Sequence, residues 1–339
     1  MSDSAAREVA SRARPTLTGF RSFAPRPLVG GFIAACAWFA AALFTALWPD
    51  RPESDWAYTD DLAAIFGALA VLIAAAVVIE ARYPGRRRLQ ALSPWMIALA
   101  LFFTVWELIT AKYGLLPLPF FPPPQAIIEV VLEDRTRLAE GILASARLLA
   151  IGYFLGAAIG FVTGIAIGWS RLAAYWIHPV LRLIGPLPAT AWLPLAFFVF
   201  PSSFTASIFL IALATGFPVT VLTWSGVAGV NSAYYDIART LGASQRFLVL
   251  KVAIPAAMPH VFVGLFMGLG NSFAVLVVAE MLGVRAGLGW YLQWAQGWAA
   301  YANMYAALLI MALVCSGLIT LLFRLRDRLL SWQRGLVRW

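Results

Sequence analysis

The chain has 339 residues, 62% of them apolar and 12% charged, with a formal net charge of +9. A soluble domain of this size cannot hide so much apolar surface in its own core, so the excess faces lipid and water-soluble classes are excluded. Arginine supplies nearly all the positive charge, Lys112 and Lys251 being the only lysines. The charges sit in a few loops and the tails, with no basic and aromatic residues mixed on a soluble face, which argues against a nucleic-acid partner.

Apolar runs long enough to cross a ~30 Å hydrocarbon layer as helices fall at roughly 28–48, 62–81, 95–113, 145–169, 177–200, 206–228, 260–282 and 303–323, about eight spans. The first follows about 27 mostly polar residues, is long and lacks a small-residue cleavage site followed by a soluble domain, so it reads as a retained membrane helix. Cys36 and Cys315 each lie in an apolar run, without the spacing of a disulfide framework or a metal cluster. The fifth run is interrupted by Pro179, Pro186, Pro188 and Pro194. It predicts a broken helix whose freed carbonyls face protein or a cavity.

An even number of spans puts both termini on one side, and arginine and lysine favour the cytoplasmic face. The predicted inner side carries Arg7, Arg12, Arg14, Arg21 and Arg26, then Arg82, Arg86, Arg87 and Arg88, then Arg171, Arg182, Arg239, Arg246 and Lys251. The tail adds Arg324, Arg326, Arg328, Arg334 and Arg338. The predicted outer side has Arg51, Lys112, Arg135, Arg137 and Arg285 and is acidic in its first loop, through Asp50, Glu53, Asp55, Asp60 and Asp61. Both termini are therefore expected in the cytoplasm.

The outer segment from Pro117 to Gly141 opens with Pro122, Pro123 and Pro124 and continues as an amphipathic stretch carrying Ile127, Ile128, Val131 and Leu132. It is expected along the outer membrane surface or as an ordinary connecting helix. The next span has Gly152, Gly156, Gly160, Gly164 and Gly168 at four-residue spacing. Such a smooth stripe lets another helix approach closely in lipid; the competing reading is that it lines the pore.

The long inner loop, residues 229–259, is neither a membrane span nor a solvated linker. Ile237, Leu241, Phe247, Leu248 and Leu250 are interleaved with charges at helical spacing, and Gly242 breaks the run. This predicts two short helices meeting at a glycine and offering an apolar ridge. The loop resembles the signature of bacterial ABC-importer permeases, E-A-A, three residues, G, nine residues, I-x-L-P. Asp236 stands at the glutamate, Ile237 and Ala238 at the alanines, Gly242 at the glycine, and Val252, Ile254 and Pro255 at the closing positions. Asp236 keeps the charge on a shorter arm, and Ile237 adds bulk where alanine is usual.

Two further stretches resemble the nitrate, sulfonate and taurine branch of those permeases. Pro186-Leu187-Pro188 with Ala191-Trp192-Leu193-Pro194-Leu195-Ala196 is similar to its PxP and AWxPLA phrase. Val278-Ala279-Glu280-Met281-Leu282-Gly283 with Gly287-Leu288-Gly289 is similar to its AAELLG and GLG stretch. The resemblance implies an all-α polytopic membrane protein with a type I importer core of six spans in residues 95–323. Residues 1–94 would add a cytoplasmic segment and two extra helices, and residues 324–339 a basic cytoplasmic tail.

It further implies a bacterial inner-membrane permease that pairs with a second copy of itself and binds two ATP-binding subunits. Solute would arrive from a periplasmic or lipid-anchored binding protein. Asp236, Ala238, Gly242, Ala243, Ile254 and Pro255 would form the ATPase-coupling loop. A phosphate-binding loop needs a lysine after a glycine-rich turn, and neither Lys112 nor Lys251 follows one. No enzyme activity, cofactor or metal is expected of the chain itself, and ATP would be hydrolysed by a partner. Branch membership points to small anions such as nitrate, sulfonates or taurine.

Candidate pathway residues are Pro186, Pro188, Thr190 and Trp192 of the broken span, with Asn271 and Glu280; Ser272 is a further polar mid-span residue. Glu280 could equally be a structural hydrogen-bond acceptor, and Glu107 is expected to pair with another helix. His178 and His260 read as interfacial anchors. Trp290, Trp294 and Trp298 form either an interface belt or part of a surface facing the binding protein. The alternative function is a stand-alone secondary transporter driven by an ion gradient, which should show paired broken helices in an internal repeat; one broken span is visible. A membrane-embedded enzyme would need a nucleophile and base or a metal-ligand set, and no such grouping is present in the sequence.

Overall fold

The computed structural model describes residues 27–51, 56–82 and 88–331. Arg7, Arg12, Arg14, Arg21, Arg26, Glu53, Asp55, Arg86, Arg87, Arg334 and Arg338 lie outside the described residues.

In hydrocarbon each backbone N–H and C=O needs an internal partner, and helices meet that need. The described residues contain helices and no strand. In chain order these are α1 (Pro27–Leu47), α2 (Thr59–Arg82) and α3 (Arg88–Glu107), the last continuing as a π turn Leu108–Lys112. Then come α4 (Pro124–Glu133), α5 (Arg135–Trp169), α6 (Arg171–Ile184), a 3-10 turn Ala189–Trp192, α7 (Leu193–Val199) and α8 (Ser203–Ala228). Next are α9 (Ser232–Thr240) and α10 (Gln245–Phe247), which runs through a π turn Leu248–Ala253 into α11 (Ile254–Leu282). The chain closes with α12 (Leu288–Gly297) and α13 (Tyr301–Leu329).

Seven described helices are long and apolar enough to cross a membrane. The eighth expected span is the predicted broken one: α6 and the segment Ala189–Val199 bend by 86° across their break. Pro186 and Pro188 account for the break, since neither can donate to the helix ladder.

The described residues fall into two compact units, one running to Pro117 and including Pro123–Gln125, the other comprising Leu118–Pro122 and Ala126 onward. In the first, α1 packs on α2 and α3 around Trp38, whose ring lies 5.3 Å from Phe66 and 6.1 Å from Phe103. The third span thus groups with the first two by contact, whereas the sequence division falls at residue 94, before it.

An ionic network closes one end of this unit. The Lys112 ammonium lies 2.9 Å from Asp50 Oδ1 and 3.4 Å from Glu107 Oε1, and donates to the carbonyls of Thr45 and Trp48. Glu107 also accepts from Thr45 Oγ1 at 2.6 Å and Gln125 Nε2 at 3.1 Å. Glu107 does pair with another helix, through Thr45 of α1. Lys112, read from sequence as an outer-side charge, is buried.

In the second unit α8 is central, with α5 on one side and α11 on the other. The α5 glycine stripe is the reason. A Cβ on Gly156 would sit 2.8 Å from Ala212 Cα, one on Gly160 2.6 Å from the Gly216 carbonyl, and one on Gly164 2.6 Å from Thr223 Cβ. The stripe is a packing surface for α8, and close backbone approach gains dispersion where burial from water offers nothing. Gly264 and Gly268 of α11 meet Val219 and Thr215 on α8 in the same way.

Candidate functional site

The inner loop folds as two short helices meeting at Gly242. α9 is capped by Asn231, whose Oδ1 accepts the Ala233 N–H at 2.9 Å. It ends in a Schellman turn: the Gly242 N–H donates to the Arg239 carbonyl at 2.9 Å and the Ala243 N–H to the Ala238 carbonyl at 3.0 Å. Gly242 has φ +80°, a left-handed conformation that favours glycine. Nothing lies within 4 Å of where its Cβ would be, so backbone geometry and not crowding selects glycine.

The outer face of this turn is apolar and uncovered. Ile237 is 60% exposed, Leu241 83%, Phe247 49% and Leu250 59%. Asp236 makes an exposed i,i+3 pair with Arg239 at 3.3 Å, which contributes little to stability and leaves the carboxylate accessible. The inner face is anchored. Leu248 and Ala253 are fully buried, and Ala253 and Ala257 pack with Val227 of α8, against Trp169 and Tyr235. The Tyr235 ring stands 5.8 Å from that of Trp169 at the end of α5. Ile254 and Pro255 open α11, and since α10 runs into α11 through the π turn, the Phe247 and Leu250 part of the ridge and the span are one continuous helix.

The broken span lines a cavity of about 350 Å³. Pro188 and Thr190 contribute from the break, Ala214, Phe217 and Pro218 from α8, and Asn271 from α11. Pro218 supplies no N–H to the Ala214 carbonyl, which adds a freed acceptor to the wall. Of the candidate pathway residues, Pro188, Thr190 and Asn271 are thus brought together. Pro186 is exposed beside them. Trp192 packs against the core cluster around Leu210 and Ile211, with its Nε1 buried and lacking a hydrogen-bond partner. Ser272 is buried and bonds the Leu269 carbonyl of its own helix.

Glu280 does not join this cavity. Fully buried near the end of α11, its Oε2 accepts from Ser145 Oγ of α5 at 2.9 Å and from the Gly289 N–H of α12 at 2.8 Å. Ser145 Oγ in turn accepts the Leu288 N–H at 2.9 Å. Gly287, at φ +106°, leaves no room for a Cβ because the Glu280 carboxylate occupies that space, and a Cβ on Gly289 would lie 2.7 Å from Glu280 Cβ. The glutamate and the GLG stretch therefore form one clip that fastens the start of α12 across α5 and α11. Sequence reasoning missed Ser145, because the pairing spans 135 positions and a lone serine in an apolar helix gives no signal.

A second tie holds α12 in place. Tyr291 Oη donates to Asp134 Oδ2 at 2.7 Å, and Asn303 Nδ2 bonds the same oxygen at 3.1 Å. Burial pushes the Tyr291 phenol up, so it stays a donor. Trp294 lies under the Arg137 guanidinium at 5.6 Å, while Trp290 and Trp298 are exposed. His178 meets Trp224 edge-on at 4.4 Å between ring centroids, a packing contact between α6 and α8. Among the described residues no group of three metal-ligating side chains occurs.

The sequence matches the family described as binding-protein-dependent transport system inner membrane component over residues 152–334. The nitrate import permease protein NrtB of Synechococcus elongatus is 29% identical over 262 residues, covering 74% of this chain and 91% of NrtB. The taurine transport system permease protein TauC of Escherichia coli is 32% identical over 243 residues, 69% of this chain and 88% of TauC. These matches set the secondary-transporter alternative aside. The chain belongs to this family: it is a multi-pass inner-membrane permease subunit of an ABC importer, in the nitrate, sulfonate and taurine branch.

Proposed function

We propose that this chain, paired with a second copy of itself, forms the solute pathway of an ATP-driven importer and binds two ATPase subunits through the ridge at Gly242. An external binding protein delivers the solute, and both termini lie in the cytoplasm. The exposed apolar ridge of Ile237, Leu241, Phe247 and Leu250, whose Phe247 and Leu250 lie on the helix that continues into α11, carries this reading. A contiguous apolar patch at the end of a membrane protein needs a cover, and a cytoplasmic partner supplies one. Movement of that partner on ATP binding is transmitted through α10 into α11, and through Trp169 and Tyr235 to α5. The pathway then swings between two packings, each favoured by different contacts. The permease core of residues 95–323 takes α3 as its first span, and the end of α1 with the loop after it braces that span through Lys112.

The solute proposed is a small anion of the nitrate, sulfonate or taurine kind, by analogy with NrtB and TauC. The cavity at the broken span carries no charged side chain; the Thr190 hydroxyl and the Asn271 amide are its polar side chains. Such a lining orients a solute weakly, so selection falls to the binding protein. The test is uptake into proteoliposomes holding this permease with its co-expressed ATPase subunits and binding protein. Labelled nitrate or taurine should accumulate only with ATP and the binding protein present. Accumulation driven by an ion gradient without ATP would refute the proposal.

A further inference from the structure

Glu280 closes the clip between α5, α11 and α12 with both carboxyl oxygens buried, yet the clip uses one of them. Oε2 accepts from Ser145 Oγ and from the Gly289 N–H, while Oε1 has no hydrogen-bond partner. The carboxyl borders a cavity of about 20 Å³ whose walls, Ser145 apart, are apolar. They include Ile142 and Leu149 of α5, Phe273 of α11, Leu288 of α12, and Met311 and Leu318 of α13.

No cation balances this carboxyl: among the described residues no ion pair involves Glu280. The titratable and charged side chains of the surrounding helices are turned elsewhere. On α5, Arg137 and Arg147 lie against Trp294 and Phe204, Tyr153 donates to the Leu265 carbonyl, and Glu140 is exposed. On α12, Tyr291 is bonded to Asp134, and Arg285, in the turn before that helix, is exposed. On α13, Tyr305 and Cys315 stand outside the cavity lining, and on α11 His260 is near the opposite end.

An ionised carboxylate spreads its charge evenly over two oxygens, so ionised Glu280 would strand half of that charge against an apolar wall. A neutral acid divides differently: its carbonyl oxygen is the good acceptor, and its other oxygen carries the hydrogen. Two donors on Oε2 and none on Oε1 is that division. A buried hydroxyl without an acceptor costs far less than a buried charge without a cation.

We propose that Glu280 is a proton-binding site and that the clip closes on a proton taken up from solvent, with Oε2 the carbonyl and Oε1 the hydroxyl of a neutral acid. When α12 lifts and the carboxyl is hydrated, the proton returns to water. Above the ordinary carboxyl range the closed clip therefore holds one proton more than the open one, so rising pH favours opening and falling pH fastens α12. This dependence ends where the closed clip itself loses the proton. The site goes beyond the transport reading, which assigns Glu280 no role.

The test uses the full chain in mild detergent. The infrared difference spectrum between the natural chain and Glu280→Gln at neutral pH should contain the carbonyl band of a protonated carboxylic acid, contributed by the natural chain. Ser145→Ala removes one of the two donors to Oε2 and should move that band to higher wavenumber. If Glu280→Gln does not fold, the Ser145→Ala shift decides alone. Proteolysis between residues 283 and 300, corrected with an unstructured peptide for the protease's own pH response, gives the second readout. It should quicken about tenfold per pH unit between about pH 5 and 7 in the natural chain, the slope of one proton released on opening. In Glu280→Gln, whose amide oxygen can accept the same two hydrogen bonds, it should stay level. The Asp134 tie to Tyr291 is common to both chains and cancels from the comparison. Absence of the acid band, a band that Ser145→Ala leaves in place, or equal pH slopes in the two chains would each overturn the proposal.

Discussion

Gly156 in α5 and Gly242 in the inner loop are the same residue for opposite reasons. At Gly156 a methyl group would run into the backbone of Ala212, so the glycine makes room for a neighbouring helix. At Gly242 nothing lies within 4 Å, and the glycine instead permits φ +80°, fixing the direction in which the chain leaves α9. The first kind of glycine holds the bundle together, and the second aims an exposed ridge. Substitution should therefore separate stability from coupling: core glycines control whether the protein folds, and the loop glycine controls whether a folded protein works.

The sharpest break is Gly156→Leu. Its side chain must displace the α8 backbone, which exceeds the 1–3 kcal/mol usual for overpacking; size-exclusion chromatography should show no monodisperse protein. Next is Lys112→Met, which leaves the buried Glu107 and the half-buried Asp50 without a cation and should cost about 3–5 kcal/mol in thermal unfolding. The triple change Asp50→Asn, Glu107→Gln, Lys112→Met should recover most of that loss, because it removes all three charges of this network together. Glu280→Ala strands the Gly289 N–H and Ser145 hydroxyl and should cost about 1–3 kcal/mol. A loosened α12 would appear as faster proteolysis between residues 283 and 300. Smallest in stability is Gly242→Ala, about 1–2 kcal/mol of left-handed strain. It should nevertheless reduce ATPase stimulation far more than that figure implies, with Gly242→Asn intermediate because asparagine visits this conformation more readily.

The parts legible in the sequence were those with local signals. Span number follows from apolar run length, the broken fifth span from Pro186 and Pro188, and the two-helix loop from helical spacing interrupted at Gly242. The glycine stripe announced close packing, though its partner, α8, is a matter of tertiary contact. Long-range polar pairings were not legible: Lys112 reaches Asp50, and Glu280 reaches Ser145, across distances that leave no periodic trace. The grouping of the third span, α3, by contact is of the same kind. Its contacts with α1 and α2 depend on Trp38, Phe66 and Phe103 meeting in space, and each alone is one more aromatic in an apolar run.

The most direct measurement is co-purification of the tagged permease with its ATPase subunits, with and without Leu241→Asp at the most exposed point of the ridge. The natural chain should retain the ATPase and stimulate its hydrolysis. Leu241→Asp should lose both while its own thermal unfolding is unchanged. Retained ATPase and undiminished stimulation in that variant would show that the ridge at Gly242 is not the coupling surface.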